Sequence, residues 1–136
     1  MSNPNPAVVF SEGPLWMESV VSARKDTINI LQKIKEFMDY KSQNPLALFG
    51  GKDTPLAGVS GSPYSKYLPK ARKAHLTPDI SIIYELSGKN PTTIKLLGVF
   101  THADLGTGMP ANKKRSEQMA KRLAREDLEN FLKSLL

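Results

Sequence analysis

The sequence contains no cysteine, which excludes disulfides, thiol nucleophiles and thiolate zinc sites. It has only two histidines, His75 and His102, and a single tryptophan, Trp16. Long apolar runs are missing too: no stretch approaches the roughly 18 residues that a membrane helix requires. The start, Met1-Ser2-Asn3-Pro4-Asn5-Pro6, has neither a charged segment nor an apolar run and does not read as a secretory signal. These absences lead us to expect a cytoplasmic protein.

What is present is a chain of 136 residues, enough for one domain with a real core. Lysine and arginine number 19 against 13 aspartate and glutamate, a net charge of +6. Such an excess favours polyanionic partners, whether nucleic acid or acidic protein, without choosing between them.

Along the chain, Ala7 to Phe10 is short, apolar and β-branched, and reads as a first strand. Ser11 suits a helix cap and Pro14 a first helical turn. A helical hairpin is expected over roughly 12–24 and 27–42, with Asp26 as a cap for the second helix. Its apolar stripes are Leu15, Trp16, Val20 and Val21, then Ile28, Leu31, Ile34, Phe37 and Met38. Residues 50–69, rich in glycine, proline and serine, read as one long loop. Three strands follow, Ala71 to Leu76, a second through Ile82, Tyr84 and Leu86, and Ile94 to Phe100, joined by turns at Thr77-Pro78-Asp79-Ile80 and Ser87 to Pro91. Beyond Pro110 the chain is charged and helical, with Ala120, Ala124, Leu128, Phe131, Leu132 and Leu135 at helical spacing. The order is that of an α+β domain.

The chemistry centres on the histidines. His75 ends the first meander strand, Asp79 lies four residues on across a proline turn, and His102 follows the last strand. Two imidazoles near a carboxylate suffice for metal-free RNA cleavage, one removing the 2′-OH proton and the other protonating the leaving 5′-oxygen. A cation must balance the charge that develops on phosphate. Lys70, Arg72, Lys73 and Lys95 are the candidates; the alternative is that they form a solvated face. No close histidine spacing points to a metal, and no cofactor is expected. Tyr64 and Tyr67 can stack on bases or serve in packing.

Four pieces, Lys52 to Gly58, Ala74-His75-Leu76-Thr77-Pro78-Asp79, Ile82-Ile83-Tyr84 and Thr101-His102-Ala103-Asp104-Leu105-Gly106, resemble in order and spacing the YafQ branch of the RelE superfamily of toxin–antitoxin systems. The resemblance covers roughly residues 7–106. It implies a RelE-like, microbial-ribonuclease-type α+β fold: N-terminal strand, helical hairpin, antiparallel three-stranded meander. Residues 1–111 would form the toxin domain, and 112–136 an extra C-terminal amphipathic helix of that domain. It further implies an mRNA endoribonuclease acting at the ribosome and neutralised by an acidic antitoxin protein. His75, Asp79 and His102 would be catalytic, with His102 as general acid. The chain departs from the family pattern at Thr54, where the family has His, and at Ile80, where it has Trp. Gly98 stands in place of a catalytic Arg, and Gly106 in place of Phe. The alternative function is a degenerate relative that binds RNA, ribosome or a protein without cutting.

Overall fold

The computed structural model describes residues 8–57, 62–89, 91–107 and 111–136, with the backbone alone for residues 26, 125–131 and 134. Strand β1 (Val8–Glu12) leads to helices α1 (Trp16–Asp26) and α2 (Ile30–Gln43). Then come β2 (Asp53–Pro55), the short helix α3 (Pro63–Tyr67) and the meander β3 (Arg72–His75), β4 (Ile80–Ser87) and β5 (Thr92–Thr101). A single turn, α4 (His102–Leu105), precedes the last helix α5 (Lys113–Ser134). The five strands form one sheet in the order β1-β5-β4-β3-β2, with β1 parallel to β5 and the other pairs antiparallel.

Each face of this sheet carries its own core. On one, Trp16, Ile30, Ile34 and Phe37 of the hairpin pack against Ile82, Tyr84, Leu96 and Val99. On the other, Tyr64 and Leu68 around α3, Leu105 of α4, and Ala120 and Leu123 of α5 cover Ile83, Leu97 and Phe100. Alternation along a strand supplies both faces. A bulge in the β4–β5 pairing, where Ile83 opposes Gly98 but Tyr84 opposes Leu96, shifts the alternation of β5, so that Leu96 and Val99 share one face and Leu97 and Phe100 the other.

Several sequence expectations are corrected. Ser11 caps no helix; it extends β1, and α1 starts at Trp16 without a side-chain cap. Asp26 ends α1, and Asn29 precedes α2. The buried stripe of α2 is Ile30, Ile34, Phe37 and Lys41, whereas Ile28 is 95% exposed and Leu31 and Val21 are also exposed. Lys41 belongs in that stripe because its ammonium lies 3.2 Å from the buried Asp53 carboxylate. The expected loop 50–69 holds β2 and α3; Ser62 caps α3, accepting a hydrogen bond from the Tyr64 amide, and Pro63 sits in its first turn. In α5, Ala120 and Leu123 are buried, but Leu132 and Leu135 are exposed. Leu128 and Phe131 lie outside the described side chains, and Ala7 outside the described residues. No helix of the described residues is long and apolar enough to cross a membrane.

Candidate active site

Strands β3 and β5 both run antiparallel to β4, so their C-terminal ends lie at the same end of the sheet. His75 is the last residue of β3 and His102 the first residue past β5. The two strands are separated by β4, a spacing of about 9.6 Å at the usual inter-strand distance. Two imidazoles can span that gap only if the β4 residue beneath them is small. It is Ser81, which pairs with His75 on one side and Phe100 on the other. The rings meet edge to face, with Nε2 of His75 3.0 Å from Nε2 of His102.

Hydrogen bonding fixes the tautomers. His75 Nδ1 lies 3.3 Å from the Lys52 carbonyl, which can only accept, so Nδ1 carries the proton. A neutral His75 therefore presents the Nε2 lone pair, and His102 Nε2–H donates to it. The Lys52 carbonyl also accepts from the His75 amide at 3.1 Å, extending the β2–β3 pairing. Burial pushes the His75 pKa below the ordinary imidazole value, and repulsion from His102, Lys73 and Lys52 adds to this, against the hydrogen bond to Lys52.

His102 is held by its backbone. Thr101 and Asp104 form a capping box around the first turn of α4, and the His102 amide donates to the Asp79 carbonyl at 3.2 Å. The Thr77 hydroxyl in turn accepts from the amides of Asp79 and Ile80. Asp79 thus touches the site through its main chain. Its exposed carboxylate makes no hydrogen bond or ion pair to either imidazole among the described residues.

The four candidate cations separate by strand parity. Lys73 shares the face of His75, and burial lowers its pKa. Arg72 points to the opposite face, where Nε is 3.2 Å from Asp53 Oδ1 and Nη2 donates to the Asp53 carbonyl. Lys95 is seven residues back from His102, about 23 Å at the rise of a strand, and pairs in register with Glu85. Lys70 is exposed in the turn before β3. Tyr64 is buried, donating its hydroxyl to the Leu105 carbonyl at 2.7 Å, so it has no free face for a base. The half-buried Tyr67 ring carries the ammonium groups of Lys66 and Lys121 nearby. No group of three or more His, Asp or Glu among the described residues is placed to hold a metal ion.

Two residues went unmarked in the sequence. Lys52 matters through its carbonyl, which no side-chain pattern reveals. Phe100 matters by volume: a Cβ at Gly98 would run into the edge of its ring and lie 3.2 Å from Ser19 Oγ. Gly106 is similarly enforced, with φ +72° and a hypothetical Cβ colliding with Asn112 and Ser116 at the start of α5. Space for larger residues at 98 and 106 is taken by this chain's own side chains and last helix.

No sequence model of a known family matches the chain, and no curated protein matches it. Solved structures do. YafQ in the E. coli DinJ–YafQ toxin–antitoxin complex is 24% identical, with 73% of this chain and 97% of that one aligned at a TM-score of 0.52. A YafQ variant from E. coli is 26% identical over 71% of this chain and 96% of its own, at 0.53. The YoeB/ParE toxin from Agrobacterium tumefaciens shares the fold at 14% identity, 68% and 97% coverage and a TM-score of 0.52.

Proposed function

The chain has the fold of the RelE/YafQ-type toxins, and we propose that it is a toxin-type endoribonuclease cutting mRNA through His75 and His102. The observation that carries this reading is the 3.0 Å approach of the two Nε2 atoms, which suits one to accept a proton and the other to donate one. His75 Nε2 removes the ribose 2′-OH proton as the 2′-oxygen bonds to phosphorus. His102, as the imidazolium, gives its Nε2 proton to the 5′-oxygen as the P–O5′ bond breaks. The products are a 2′,3′-cyclic phosphate and a 5′-hydroxyl, with protons balanced. Repulsion from protonated His102 helps to keep His75 in its base form. The phosphate enters by replacing the bond between the two imidazoles. Lys73 and the exposed Lys52, whose charges both act on His75, supply positive charge beside it. Asp79 is a positioning residue, acting through the His102 backbone.

The reading includes translated mRNA on the ribosome as substrate, in the cytoplasm, and a cognate antitoxin, as DinJ is to YafQ in their complex. A net charge of +6 suits both ribosomal RNA and an acidic antitoxin. A second reading, binding without cutting, draws on Phe100, whose ring occupies the space that a larger side chain at position 98 would need. Inducible expression with mapping of mRNA 5′ ends separates them. The proposal expects new 5′-hydroxyl ends inside the coding regions of translated mRNAs. Unchanged transcripts under expression, with RNA bound but intact, would favour the second reading.

A further inference from the structure

β1 pairs with β5 only as far as Leu96, which leaves the last part of β5 with a free edge. Ser19 of α1 caps that edge by accepting a hydrogen bond from the Val99 amide at 3.0 Å. Between α1 and α5, over this edge, lies a cavity of about 220 Å³. Topology puts it across β5 from His75, and Thr101, the residue before His102, lines it.

The lining has two parts. Val99, Phe100 and Met119 make an apolar interior. At the rim stand two ion pairs, Arg122–Glu18 at 3.2 Å between α5 and α1, and Arg115–Asp104 at 3.3 Å between α5 and α4. Two guanidinium groups and two carboxylates cancel, so the rim is neutral and holds no net attraction for a free phosphate. Its polar groups instead suit a flat ligand with an apolar face and hydrogen-bonding edges. Among the described residues, Arg122 donates to Oε1 of Glu18, which leaves Oε2 as an open acceptor. A carboxylate acceptor selects an exocyclic amino group.

We propose that this cavity is a nucleobase subsite, taking a base with an exocyclic amino group from the RNA residue adjoining the cleaved linkage. The proposal rests on the nuclease reading for the source of the base, but not for the binding chemistry. Its selectivity comes from Glu18 on α1, while both arginines and Met119 come from α5. Adenine, cytosine and guanine carry the amino group, and uracil does not.

The test uses the full chain labelled at its methionine methyl groups, titrated with AMP, CMP, GMP and UMP and followed by NMR. The three amino-bearing nucleotides should shift the Met119 methyl and bind several-fold more tightly than UMP. Glu18→Gln, a conservative change at an exposed position, should narrow that difference. Ser22→Trp, at an exposed position of the lining, should block the cavity and remove the Met119 response while leaving the His75 and His102 ring signals in place. An RNA oligomer blocked by 2′-deoxyribose should produce the same Met119 shift. No nucleotide response at Met119, or equal binding of UMP with no effect of Glu18→Gln, overturns the subsite. Response to mononucleotides but not to the oligomer overturns its assignment to RNA. Cleavage lost in His102→Ala tests the nuclease reading separately, and neither result dictates the other.

Discussion

Two imidazoles at the ends of non-adjacent strands meet because the residue between them, Ser81, is small and buried. A bulky β4 side chain there would hold the rings apart. The same economy of space governs Gly98 and Gly106, where Phe100 and the start of α5 fill what a larger residue would need. These residues bear on pH dependence. The His75 pKa lies below the ordinary value, first through burial, so its base form persists below pH 6.5. The acid limb of the cleavage rate should therefore centre below pH 6.5; a limb centred above that value contradicts the assignment of His75 as base. The stability effect has the same sign. As pH falls, the unfolded chain takes up the His75 proton first, so stability declines from about pH 6.5 toward the lower folded-state pKa. His75→Ala should remove that part of the decline, which melting curves between pH 7 and 5 would register.

The elements that set this geometry are unequally visible in the chain. The strands of the meander, the hairpin and α5 could be read because their apolar spacing is regular. The His75–Asp79 turn and the placement of His102 after β5 could be read as well. β2 could not, because three residues are too few to show alternation and what anchors them is distant in sequence. Asp53 on β2 accepts from Tyr84 Oη at 2.7 Å and from the Phe49 amide at 2.8 Å, and it pairs with Lys41 and Arg72. Burial alone would raise its pKa, but these partners outweigh it and hold the carboxyl below its usual value. Burial lowers the Lys41 pKa, with Asp53 pulling the other way. Lys41 was missed for the same reason as β2: a lysine looks like the polar face of α2 until its partner is known. The cluster secures the strand whose neighbouring Lys52 carbonyl holds His75. Asp53→Ala should therefore cost about 3–5 kcal/mol, since it leaves buried cations without their partner. Denaturant melts would check this, and a loss under about 1 kcal/mol would show that β2 is held by other means.

Across the whole molecule, the 22-residue helix α5 closes the second core. Its first half is docked: the Ser116 hydroxyl donates to the Leu105 carbonyl at 2.7 Å, and Ala120 and Leu123 close the second core. Farther along, Leu132 is 51% exposed. Leu123→Ala should cost about 2–4 kcal/mol of folding stability, and Leu132→Ala no more than about 0.5 kcal/mol. Equal losses in thermal or urea melts would mean that the helix docks along its full length. The overall reading, a toxin whose cleavage runs through a histidine pair, is tested most directly by single-turnover cleavage of a translated mRNA by wild type and His102→Ala, with melting recorded on the same samples. Loss of the general acid should slow cleavage by roughly 10²- to 10⁴-fold, while the melting temperature stays within a few degrees. Cleavage at the wild-type rate by a folded His102→Ala protein would contradict the account.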